Sequence, residues 1–160
     1  SERMSLFPAS VPVFRHYLAR VAAMAETATD ADLAAQLGDA FPAAQQFATA
    51  AGFALRIACP LAGRDVPDLP RALAPRLAVA RAMLGGMRPD EFIGAEDRII
   101  QHRAGFAEIE QKGTDFLFLY GLPNFFFHIT MGYASLRAAG VVLGKADFDG
   151  FHDYPAGFRF

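Results

Sequence analysis

The stretch from Asp115 to Arg137, DFLFLYGLPNFFFHITMGYASLR, decides how the chain is read. Apolar side chains cover nearly its whole circumference, the mark of a helix buried on most sides. Its few polar residues therefore carry information. Tyr120, Asn124 and His128 recur every four residues, so on a helix they stand one above another along a single line, the candidate ligand-binding line of the protein. Pro123 has no N–H to offer the carbonyl four residues back, and its ring crowds that carbonyl. A kink or restart near residues 121–123 is expected. Asp115 offers an N-cap carboxylate, and Gly140, beyond Arg137, a left-handed C-cap.

Immediately upstream, residues 88–112 show no helical period: Ile99, Ile100, Phe106 and Ile109 are short apolar pieces among polar residues and Gly105. They read as a long, partly extended crossover with room for a small hairpin. Its densest charge cluster is Glu96, Asp97 and Arg98. Arg98 neutralising a carboxylate would make a loop lock, while Glu96 and Asp97 turned toward the polar line would add oxygen ligands to it.

Farther back, Pro75 marks the first turn of a helix carrying Leu77, Ala80, Leu84 and Met87. A longer one starts at Phe41 and Pro42, with Asp39 poised as its cap. It carries Phe47, Ala51, Ala54, Leu55, Ala58 and Leu61, a stripe of mostly small residues that lets a neighbour approach closely. Gly52 lies inside it at a cost of about 1 kcal/mol relative to Ala, so something outside the helix must hold that turn. The first helix has Ser10 as N-cap, Pro12 in its first turn and Val13, Tyr17, Val21 and Met24 as its buried stripe, with His16 and Arg20 off it. Residues 27–39 make one short exposed helical turn ahead of Gly38. At the other end Phe148, Phe151, Tyr154, Phe158 and Phe160 form an aromatic tail whose rings gain by docking.

With 160 residues, 53% apolar and 20% charged, and a formal net charge of −2, the chain reads as one globular domain. A chain of this size buries roughly 70% of its unfolded surface. The charge balance argues against a nucleic-acid partner, which needs a basic surface. No apolar run reaches the ~20 residues of a membrane span, so a membrane partner is not expected and the compartment reads as cytoplasmic. Cys59, the only cysteine, has no disulfide partner within the chain and reads as a small core residue. Ser1–Arg3, ahead of Met4, read as an added remnant.

Three motifs together carry a resemblance: GAEDR at 94–98, LPNFFFH at 122–128 and YASLRAAGVVLGKADFDG at 133–150, supported by FPAAQQF at 41–47 and VPVF at 11–14. They resemble an uncharacterised bacterial family, the domain of unknown function numbered nineteen-ninety-three, itself similar in fold to the DinB/YfiT-like superfamily. The resemblance implies an all-α fold: a four-helix bundle over residues 4–150 with a long, partly extended crossover before the last helix, and residues 151–160 as a tail docked on it. Several members of that superfamily hold a divalent metal with one histidine from the second helix and two, four residues apart, on the last. His128 falls on one of those positions and is the metal-ligand candidate, but Asn124 stands where the other last-helix histidine would be, and the second helix has none.

Two function classes stay open. One is a binding or structural protein with a degenerate DinB-like site, no cofactor expected, an unidentified small-molecule ligand and room for a homodimer through helix faces the tail leaves uncovered. The other is a metal- and thiol-dependent transferase or isomerase with Zn or Ni on His128. A single histidine on an apolar helix is more often hydrogen-bonded to a neighbour than bound to metal, and Tyr120 and Asn124 are the expected partners.

Overall fold

The computed structural model describes residues 5–158, so the reading of Ser1–Arg3 and the place of Phe160 in the tail fall outside it. In chain order the elements are α1 (Val11–Glu26), α2 (Asp30–Leu33), α3 (Ala43–Leu61), α4 (Leu73–Gly85), β1 (Ile99–Ala104), β2 (Ala107–Lys112), α5 (Gly113–Asp115), α6 (Leu122–Ala138) and α7 (Lys145–Asp149). Two 3-10 turns, Pro89–Phe92 and Ala95–Asp97, precede β1. No helix among the described residues is long and apolar enough to cross a membrane.

The fold is mostly helical but not purely so. β1 and β2 pair antiparallel, His102 opposite Ile109, across a turn at Gly105 and Phe106. This hairpin corrects the all-α class: burial alternates along its strands, with Ile100 and His102 of β1 and Ile109 and Gln111 of β2 on the covered side, the period of two that a strand with one covered face has.

The helix at the centre is α3, not the 115–137 stretch. α3 packs against α1, α4 and α6, and its Ala43, Phe47, Ala50, Ala51, Ala54, Leu55, Ala58 and Leu61 are all buried. Small side chains let neighbours close on several sides of α3. The bulky 115–137 run buries one side, through Phe125, Ile129 and Leu136, and leaves Leu119 70% and Phe127 55% exposed. The crossing of α6 over α3 is tight: a Cβ built on Gly132 would lie 2.5 Å from the Phe47 ring, and one on Gly121 2.9 Å from Ile57. Gly52 of α3 has the converse explanation. The Arg76 guanidinium of α4 lies across it, donating from Nε to the Ala48 carbonyl at 2.7 Å.

Pro123 produces a widened helix, not a break. Phe116–Gly121 is π-helical, continuous with α5 before it and α6 after it. A wider turn accommodates a residue with no N–H to donate, and such turns concentrate at functional sites. The helix begins at Gly113, so Asp115 sits in the first turn and is not the N-cap. Nor does Asp39 cap α3, whose N-cap position is Pro42, and Ser10 turns its hydroxyl back to the Leu6 carbonyl at 2.7 Å. α2 does carry a capping box, Thr29 with Asp32. The buried face of α1 is Val11, Phe14, Leu18, Val21 and Met24. Val13 and Tyr17 flank it, which leaves the Tyr17 hydroxyl short of the apolar centre.

His16 and Arg20, off that face, hold α7 onto α1. His16 Nε2 meets the Asp149 carbonyl at 2.6 Å, and Arg20 Nε donates to the Asp147 carbonyl at 3.0 Å. Phe151 stacks on His16 at 4.9 Å with the rings nearly parallel, and Tyr154 stacks on Phe158 at 4.7 Å. At the far end of α3, Arg98 Nη1 donates to the carbonyls of Pro60 and Leu61 at 2.9 and 2.6 Å, so Arg98 locks the crossover onto a helix C-terminus.

Candidate functional site

The line Tyr120, Asn124, His128 is half-buried where the continuous helix of residues 113–138 faces α3, and Tyr120 and His128 meet Arg56 and Gln46 of α3. His128 Nδ1 lies 2.7 Å from Oε1 of Gln46, a residue only 3% exposed. With the amide oxygen as acceptor the imidazole carries its proton on Nδ1, and Nε2 is left as an acceptor. The ring stacks on Phe53 at 5.5 Å, one face covered by α3. Burial, and then the positive charge of Arg56, hold the His128 pKa below the ordinary histidine value. The group is a neutral imidazole at pH 7.

Arg56 forms the rim. Its guanidinium lies 4.4 Å over the Phe53 ring and donates from Nη2 to the Tyr120 hydroxyl at 3.3 Å and to the Arg103 carbonyl at 3.2 Å. The Tyr120 ring is in turn covered by the hairpin, with His102 4.5 Å away and Phe116 6.0 Å away. His102 Nε2 is engaged by Gln111 at 2.8 Å, while its buried Nδ1 makes no hydrogen bond. A buried imidazole nitrogen without a partner is uncommon.

Of the expected residues, the fold brings Tyr120 and His128 to α3 but gives Asn124 a different task. Asn124 Nδ2 donates to the Tyr120 carbonyl at 2.9 Å, so its amide serves its own helix beside the π-helical turn. The partner of His128 is Gln46 rather than Tyr120 or Asn124. Glu96 and Asp97 sit beside Arg98 at the Leu61 end of α3, separated from Gln46 by about 22 Å of helix. They are not brought to His128. From the sequence, His102 reaches this line only if the crossover folds over it, and its ring does lie 4.5 Å from Tyr120. The residues that sequence reading missed are Gln46, Phe53 and Arg56, which recur at i, i+7 and i+10 on α3, a helical spacing that puts them on one face.

The donor set does not fit a divalent transition metal. Such an ion takes three or more nitrogen, sulfur or carboxylate ligands. Here His128 offers one nitrogen, its other is committed to Gln46, and Asn124 is turned to a carbonyl. Among the described residues no three His, Cys, Asp or Glu converge. Cavities among the described residues include one of about 350 Å³ over the hairpin, with His102 in its lining, and others against α1 and α7.

The model of the domain of unknown function DUF1993 matches residues 6–149. The chain belongs to the DUF1993 family. No curated protein matches it. A solved structure does: the crystal structure of a DinB family member from Shewanella denitrificans is similar with a TM-score of 0.75 at 27% identity, over 94% of this chain and 95% of that one. This DUF1993 protein therefore has a DinB-like fold, with a polar pair, Gln46 and His128, joining α3 to α6.

Proposed function

We propose that this DUF1993 protein is a binding protein built on a DinB-like four-helix bundle of α1, α3, α4 and α6, and that the α3–α6 groove takes a small polar molecule without a metal. The observation that carries this reading is the His128–Gln46 pair at 2.7 Å. It commits the imidazole to one tautomer and presents Nε2 as an acceptor beside the Arg56 guanidinium, so a ligand with a donor next to a negatively polarised oxygen is the complementary partner. The widened helical turn and the hairpin over Tyr120 support the same place. An exposed apolar row on the same helix, Leu119, Pro123 and Phe127, is the face a homodimer would use. Light scattering over rising protein concentration tests that association.

Two measurements test the binding reading. Elemental analysis of protein purified without chelator or polyhistidine tag is expected to find no stoichiometric metal. About one ion per chain, lost in His128→Ala, would overturn the reading in favour of a metalloenzyme. A thermal-shift screen of small polar compounds is expected to give stabilising hits that vanish in both His128→Phe and Arg56→Gln. Hits that persist in both variants would remove the groove as their site.

A further inference from the structure

A cleft of about 600 Å³ opens between α1 and α4 and is lined by Arg15, His16, Ala19, Ala78, Arg81 and Ala82. It shares no residue with the contacts around His128. On α4, Ala78, Arg81, Ala82 and Gly85 follow at i, i+3, i+4 and i+7, one face of the helix, and Arg15 and Ala19 stand one turn apart on α1. The alanine methyls give the cleft an apolar lining.

The two arginines set its charge. Arg15 crosses from α1 to α4 and lies flat on Gly85: Nη2, Cζ and Nε are 3.6, 3.7 and 3.8 Å from where a Cβ on that glycine would stand. A guanidinium laid on its face keeps its N–H groups at its edge, where an oxyanion meets them in the plane. Neither Arg15 nor Arg81 has a hydrogen bond or an ion pair among the described residues. Gly85 is one helical turn past Arg81, about 6 Å along the axis, so a single ligand spans both cations. No carboxylate of the described residues lines the cleft. His16 is committed elsewhere, with Nε2 on the Asp149 carbonyl and one ring face on Phe151.

A cation would meet like charge here, and a neutral molecule would cover the guanidinium groups without compensating them. A single carboxylate occupies one fork and leaves the second without a counter-charge. A phosphate monoester carries about −1.5 to −2 at pH 7 and three acceptor oxygens, enough to bridge both. The volume falls within the range of about 300 to 1,000 Å³ for ligand sites and leaves room for an organic group beside the phosphate. We propose that the α1–α4 cleft binds a small phosphate monoester, its phosphate bridging Arg15 and Arg81 and its organic group on Ala19, Ala78 and Ala82.

Isothermal titration calorimetry of the full chain with phenyl phosphate at neutral pH tests it, with benzoate and inorganic phosphate as comparators. One phenyl phosphate per chain is expected. Benzoate, which lacks the second charge, and inorganic phosphate, which lacks the apolar body, are each expected to bind at least about tenfold more weakly. Arg15→Gln and Arg81→Gln, both at exposed positions, should each weaken phenyl phosphate by about tenfold or more. Ala78→Glu, also exposed, sets a carboxylate in the cleft and abolishes binding, while Arg71→Gln, an exposed arginine outside the lining, leaves it unchanged. Absence of saturable binding at millimolar phenyl phosphate, equal affinity for either comparator, or wild-type affinity in either cleft arginine variant with an unaltered melt would each overturn the proposal. A loss in Arg71→Gln as large as in Arg81→Gln would do so by reducing the effect to net charge, and a loss in Arg56→Gln by moving the ligand to the His128 site.

Discussion

Gln46 Oε1 and His128 Nδ1 meet at 2.7 Å, a polar contact between α3 and α6 amid apolar packing. Leaving either group in place without its partner strands a polar atom that water reaches poorly, whereas removing both leaves two apolar surfaces. Gln46→Leu and His128→Phe are each expected to cost about 1–3 kcal/mol in urea unfolding. The double variant should cost less than their sum, with a coupling of about 0.5–3 kcal/mol. Strict additivity would mean that the contact does not contribute to stability.

The pH dependence of stability follows from the same histidine. Its folded pKa is lowered, first by burial and then by Arg56. Between the ordinary value of about 6.5 and the lower folded value, the unfolded chain binds a proton that the folded chain does not. Stability from this group is therefore intact above about pH 6.5 and falls as the pH drops through that window. Melting temperatures of the wild type and His128→Phe, taken from neutral to mildly acidic pH, should converge as the pH falls. A constant difference across the range would exclude His128 as the titrating group.

Asp149 titrates at lower pH. Its carboxyl is held at about 2, chiefly by the Phe151 N–H, with further help from the N–H and the side chain of His152. A depressed carboxylate stabilises the fold above its unfolded value of about 3.9, and that contribution is lost as pH falls toward the folded value. Asp149→Asn should lower the melting temperature at neutral pH and flatten the acid dependence between about pH 4 and pH 2. Hydrogen exchange should show the Phe151 and His152 amides losing protection. Unchanged exchange there would detach the carboxylate from the tail's geometry.

Gly132 lets α6 lie directly on Phe47, and a methyl group at that position would overlap the ring at 2.5 Å. Alanine has the better helix propensity, so propensity and packing pull in opposite directions. Overpacking of a full core contact costs about 1–3 kcal/mol, which exceeds the gain of about 1 kcal/mol from replacing glycine. Gly132→Ala is expected to be net destabilising in chemical unfolding with an unchanged slope. A stabilised variant would show that α6 can shift outward freely.

From residue order alone, the number and approximate limits of the long helices were legible, because apolar periodicity, Pro12 and Gly140 are local signals. So was the exposed turn at Asp30–Leu33. Residue order points Arg98 to a carboxylate as the lock of the crossover, and the contacts it makes with α3 are instead to the Pro60 and Leu61 carbonyls, a partner that only the packing of the crossover on the end of α3 decides. The polar line on α6 was legible as a line, since a spacing of four is a property of one helix. What stands opposite that line was not. That Gln46 reaches His128, that Arg56 and the hairpin's His102 close over Tyr120, and that Asn124 turns back to its own carbonyl depend on the depth and angle at which α6 crosses α3. Those are set by Gly121, Gly132 and the alanines of α3 acting together, residues far apart in the chain. The same cause moved the centre of the fold from the bulky 115–137 stretch to α3: large apolar side chains announce burial in a sequence, but the small ones decide which helix its neighbours can surround.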